Sequence, residues 1–114
     1  MTYERLVALN VIDDQRYEDY RQAMKPILHY CGGKFGYDFE VSKLLISETT
    51  TPINRVLTSS FPNVEAHDKF FSDPEYIKVK TKYFEISVAN TTFIANYEKI
   101  KSIHSKHFDV DKLV

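Results

Sequence analysis

The segment from Arg5 to Ile12 constrains this chain more than any other. Leu6, Val7, Ala8, Leu9, Val11 and Ile12 are apolar at neighbouring positions, and successive side chains of a strand point to opposite faces. A strand of that composition has to be covered on both sides, so it belongs in the middle of a layered structure. Asp13 or Asp14 then offers a carboxylate to the free amides of a helix start, with Ile12 placed to staple against Tyr17. Tyr17, Tyr20, Met24, Leu28 and Cys31 recur at steps of three and four and form one apolar stripe. Pro26 falls opposite that stripe, so the backbone bond it deletes lies on the solvent side and bends the helix without ending it. Gly32 and Gly33 supply the left-handed conformation that closes such a helix.

The next stretch, Lys34 to Ser47, alternates Phe35, Tyr37, Phe39 and Val41 and continues into Leu44, Leu45 and Ile46, which reads as a long or bulged second strand. A polar turn from Glu48 to Pro52 leads to a third strand over Ile53 to Phe61. Asn63 caps a second helix with Glu65 in its first turn, and Asp73 followed by Pro74 restarts it, so this helical region is in two pieces. Ile77, Val79, Tyr83, Phe84, Ile86 and Val88 are expected to give the second piece its apolar face. The β-branched and aromatic run from Thr91 to Tyr97 closes the domain as a fourth strand. The order is βαββαβ, the α+β class, and right-handed crossovers put both helices on one face of a four-stranded antiparallel sheet. The uncovered face then calls for a partner, since a large exposed apolar surface normally marks an interface. A homodimer through that sheet face is the simplest arrangement.

At 114 residues one domain is the natural content. The aromatic share of 14% separates the chain from disordered sequences, and a net charge of -1 gives no electrostatic reason to expect nucleic acid or an anionic membrane as partner. Cys31 is the single cysteine, which rules out an internal disulfide and suits a reducing cytoplasm. The first apolar run is too short for a membrane span and ends in Asp13 and Asp14 where a cleavage site would need small residues, so no export signal is expected.

Asp13 followed by Tyr17 and Tyr20, then Gly32-Gly33, Arg55, Phe61-Pro62, Glu65-Ala66 and Pro74-Glu75-Tyr76 come in an order and spacing that resembles the domain-of-unknown-function 1330 family, one of the dimeric α/β-barrel groups. The resemblance runs from about Arg5 to Glu98. It implies a ferredoxin-like fold and a dimer built sheet against sheet, and it implies no activity. Ser60, Phe70, Asp38 and Tyr83 depart from the residues common in the family, so a polar site shared by relatives is altered here. The domain is placed at residues 1–98, with 99–114 an extension that either straps the partner or stays mobile.

Relatives of this architecture hold small molecules between helices and sheet, and that cleft is where a site is expected. Asn10, Tyr37, Arg55, His67 and Tyr76 are the candidate ligand-binding residues, because each interrupts or borders an apolar surface. Arg55 could pair with a carboxylate or an enolate-like substrate, and His67 titrates where proton transfer near neutral pH needs it, so these two are the catalytic candidates. Each also has a plain structural reading: Arg55 pairing with Asp38 or Glu40 across the sheet, and His67 as a boundary histidine beside Val64 and Phe71. Cys31 reads as an inert thiol at a helix end. A metal reading through His104 and His107 with Asp109 or Asp111, and an RNA-binding reading of Lys34 to Phe39, are both weaker: the first sits in a polar tail, and the second lies on the wrong strand with Asp38 and Glu40 beside the aromatics. No cofactor and no metal are expected. The function read from all this is a small-molecule-binding protein, or a cofactor-independent enzyme, for a small carbonyl or aromatic compound. The alternative is a ligand-sensing or assembly homodimer without catalysis.

Overall fold

A computed structural model describes residues 2–100. Strand β1 spans Thr2–Val11, helix α1 Asp14–Tyr30, β2 Lys34–Glu40, β3 Arg55–Phe61, α2 Val64–Ser72, α3 Pro74–Val79 and β4 Val88–Lys99. A π-helical turn, Lys80–Phe84, and a last helical turn, Glu85–Ser87, join α3 to β4. The strands are antiparallel in the order β2-β3-β1-β4, with β1 in the interior as its composition required. The extension from residue 101 onward, including His104, His107, Asp109 and Asp111, lies outside the described residues. No described helix is long and apolar enough to cross a membrane.

Side chains close the free amides at each helix start: Asp13 accepts from Arg16 N at 3.0 Å, Asn63 from Ala66 N at 2.8 Å and Asp73 from Glu75 N at 2.8 Å. Caps of this kind contribute about 1 kcal/mol each. Tyr17, Tyr20, Met24 and Leu28 are buried on one side of α1, Cys31 is half-buried against the same core, and Pro26 is exposed within an unbroken helix. Gly32 takes φ +77°, the conformation that glycine alone adopts cheaply. Gly33 serves differently: a Cβ there would stand 2.5 Å from Leu28 Cδ1, so its missing side chain lets α1 close onto β3.

Four expectations need correction. The second strand stops at Glu40, its last ladder partner being Arg55, with one further bond of 2.9 Å from Val41 N–H to Asn54 O; Asn54 also ties to β1, donating its N–H to Leu9 O and exchanging side-chain amide bonds of 2.8 and 2.7 Å with Val11. Leu44, Leu45 and Ile46 follow that last bond, pair with no strand among the described residues and are exposed in a loop, Ile46 at 91%. Ile12 lies past the end of β1 and is exposed, so it makes no staple on Tyr17. The face of the second helical region runs through Tyr76, Val79, Tyr83, Phe84 and Ser87, while Ile77 and Ile86 point outward. That rotation is fixed by the Asp73 cap and by Ser87, whose carbonyl accepts from Ile12 N and Asp13 N.

The last correction concerns the sheet. Val7, Leu9 and Val11 face the helices with Leu57 and Phe61. Alternation puts Glu4, Leu6, Ala8 and Asn10 on the other face, level with Ser60, Thr58 and Val56 of β3. That face is therefore not apolar throughout. It has a polar centre, where Glu4 is 4% exposed and is bonded by the Tyr97 hydroxyl and approached by Lys99 Nζ at 3.5 Å. Apolar surface is concentrated at its edge, where the rings of Tyr37 and Phe39 stack with centroids 5.5 Å apart and remain more than half exposed.

Candidate functional site

Between helices and sheet lies a cavity of about 60 Å³. Its floor is Arg5, Val7 and Leu9 of β1 with Leu57 and Ser59 of β3; its roof is Tyr17, Tyr20, Met24 and Leu28 of α1; Phe70, Phe71 and Tyr76 close one side. Such a volume exceeds what one water needs and falls short of the roughly 150 Å³ that admits benzene. Aromatic contacts fix the roof, with Tyr20 5.7 Å from Tyr17 and 4.9 Å from Phe84, and Phe70 4.4 Å from Tyr76.

Within this apolar wall the polar groups are few. The Tyr20 and Tyr76 hydroxyls meet at 2.9 Å, although 56 residues separate them in sequence. Burial holds the Tyr20 phenol well above its ordinary pKa of 10.0, with the Tyr76 hydroxyl adding to the effect, and burial raises Tyr76 as well. Both are neutral hydroxyls at physiological pH. Opposite Ser59 in the sheet register stands Arg5, its guanidinium 4.1 Å from the centroid of Phe71 and 4.5 Å from that of Phe93. Burial lowers the Arg5 pKa, and the Tyr76, Tyr20 and Tyr3 hydroxyls oppose that shift.

Of the five candidates named from sequence, Tyr76 lines this cavity and the others do not. Asn10 lies on the far face of β1 in register with Asn90, and Tyr37 is stacked on Phe39 at the edge of that face. The His67 ring is boxed by Tyr3, Phe61 and Phe71 at 5.0, 5.2 and 4.8 Å. Its Nδ1 meets Asp68 Oδ1 at 2.9 Å, and its Nε2 is buried without a partner among the described residues. Arg55 takes up the structural alternative, with Nε and Nη2 each donating to Asp38 at 2.9 Å, while Arg21 of α1 donates to the same carboxylate. Burial raises the Asp38 pKa, but the bonds from Arg55 and Arg21 outweigh it and leave the net value below the usual carboxylate range. Arg55 also borders a separate open cleft of about 190 Å³ with Asp14, Glu40 and Asn54. Arg55 and His67 are thus in different places, and neither faces Tyr76 across the cavity.

Arg5, Tyr17, Tyr20, Ser59 and Thr91 are the polar lining residues that sequence reasoning did not name as site candidates. A signal for Arg5 was available, since Arg5, Val7, Leu9 and Val11 alternate along β1 and so share the helix-covered face.

The fold is shared with known structures. A protein of unknown function from Rhodopseudomonas palustris is 18% identical at a TM-score of 0.74, the match covering 88% of this chain and 83% of that one. A dimeric ferredoxin-like protein of unknown function from Jannaschia is 11% identical at 0.61, covering 87% and 100%. The hydroxynitrile lyase of Passiflora edulis is 11% identical at 0.61, covering 84% and 91%. At such identities the likeness is one of fold, ferredoxin-like α+β. No protein of curated function matches the sequence. The family model described as "Domain of unknown function (DUF1330)" matches residues 5–97, and the chain belongs to that family.

Proposed function

We propose that this protein is a homodimeric small-molecule-binding protein whose ligand, a compact carbonyl or aromatic compound, occupies the cavity between helices and sheet. The carrying observation is the Tyr20–Tyr76 hydroxyl pair inside an aromatic enclosure. One phenol proton is used in their mutual bond, which leaves the other free to donate to a carbonyl oxygen. Among the described residues the lining contains no histidine, aspartate or glutamate, so the arrangement supports binding and polarisation of a carbonyl better than proton abstraction. A volume of about 60 Å³ favours a ligand of a few heavy atoms; an aromatic ring enters only if a lining side chain rotates. That one structural neighbour is a lyase supports the compatibility of this fold with small-molecule chemistry and does not transfer its reaction. A lone cysteine needs no oxidising compartment, which supports a cytoplasmic location.

Thermal-shift screening of the purified protein against small ketones, aldehydes and acids tests this reading, because a ligand stabilises the state that binds it. The expected result is a concentration-dependent rise in Tm that is weakened in both Tyr20→Phe and Tyr76→Phe. If no compound shifts Tm, or if both variants respond as the parent does, the cavity reading is lost. The second reading, an assembly or sensing module, is favoured by the exposed, stacked Tyr37–Phe39 surface.

A further inference from the structure

We infer that Arg5 anchors an acidic group of the ligand, which makes the ligand class a small monocarboxylate. This rests on the cavity reading above and narrows it. Arg5 sits on an interior strand, held in register with Ser59 on one side and Asn96 on the other, so its position is set by the sheet. Phe71 and Phe93 lie near its guanidinium at 4.1 and 4.5 Å and provide cation–π attraction, yet aromatic faces do not satisfy the five N–H donors of an arginine as oxygen acceptors would. Among the described residues Arg5 forms no ion pair.

The contrast with other arginines is informative. Arg55 and Arg21 share Asp38. Arg5, by comparison, lines a cavity whose other polar side chains are tyrosine, serine and threonine hydroxyls, with one phenol proton of the Tyr20–Tyr76 pair held in their mutual bond. A positive, donor-rich lining with no carboxylate among the described residues is complementary to a carboxylate ligand, which offers about four lone-pair sites and accepts a guanidinium in bidentate fashion. The cavity volume restricts the rest of the molecule to a few carbons. An arginine needed only for packing would be served as well by methionine, which fills the same aromatic slot without a charge to desolvate.

The test compares acids with their neutral amides: acetate against acetamide and pyruvate against pyruvamide, by calorimetry and thermal shift, on the parent chain, Arg5→Lys and Arg5→Met. The acids should bind the parent at least about tenfold tighter than the amides, Arg5→Met should erase that preference, and Arg5→Lys should keep part of it. Equal binding of acid and amide, or an acid preference that survives in Arg5→Met, overturns the assignment while leaving the cavity reading intact. Binding of neither series overturns both. Should Arg5→Met fold poorly, the acid-to-amide ratio on the parent decides the matter alone.

Discussion

Asp38 carries more of the tertiary structure than its place on an edge strand suggests. Its carboxylate accepts from Arg55 on β3 and from Arg21 on α1, so one side chain ties the sheet edge to the helix above it. Arg21 in turn lies 3.8 Å over the ring of Phe35, which extends the tie into the core. Because the folded pKa of Asp38 lies below its ordinary 3.8, its contribution to stability is complete well above that pH and is lost as pH falls through the folded value. Asp38→Asn is therefore expected to lower unfolding free energy by about 1–2 kcal/mol at neutral pH and to flatten the loss of stability on acidification. Urea titrations at pH 7 and pH 3 read both effects. A parent and variant that lose stability in parallel on acidification would exclude the role given to Asp38. On the far face, the Tyr97 phenol is pushed up to about 12 by its bond to Glu4, so that pair stays intact through the physiological range.

Helix α1 crosses the sheet as one 17-residue element with a proline inside it. Pro26 cannot donate to the carbonyl four residues earlier, and in a helix interior this residue type is about 3 kcal/mol less favourable than alanine. Its exposed position explains how the helix tolerates it: the missing bond faces water, and the buried stripe of Tyr17, Tyr20, Met24 and Leu28 is untouched. Pro26→Ala should raise the midpoint of thermal unfolding, with a gain of up to about 3 kcal/mol, and should leave ligand affinity unchanged. A lower Tm in that variant would mean that the proline is needed to seat the roof of the cavity. The second helical region solves its packing by interruption: the cap at Asp73 sets the phase of α3, and the π-turn adjusts it so that Tyr83 and Phe84 still reach the core.

For the whole molecule the unresolved demand is the face of the sheet without helices. Its centre is closed by the cluster of Glu4, Tyr97 and Lys99, but Tyr37 and Phe39 at one edge are each more than half exposed. Leu45 and Ile46, in the loop after β2, add further exposed apolar surface. The stacked Tyr37–Phe39 pair is exposed apolar surface of the kind that marks interfaces, which supports a sheet-to-sheet dimer in which the aromatic edge is covered. Sedimentation at micromolar concentration should give a mass near twice the chain's 13.4 kDa, and Phe39→Glu should shift the species toward monomer by burying an unpaired charge at the contact. A parent that sediments as a folded monomer removes the dimer, and with it the assembly reading.

What the sequence by itself determined is everything set by contacts a few residues apart. Asp13, Asn63 and Asp73 cap because a side-chain oxygen reaches amides two or three positions on, and the stripe of α1 follows from 3.6-residue periodicity. From these the βαββαβ order and its antiparallel sheet were legible. The tertiary structure decided which residues meet. Arg55 was drawn to Asp38 because the β2–β3 register brings their strands together, Tyr20 met Tyr76 across 56 residues, and the Asn54 side chain found Val11 of β1 where the β2–β3 ladder ends. Hydrophobic patterning specifies the face a side chain takes; the neighbour it finds on that face depends on register and on helix rotation, which only the assembled layers fix.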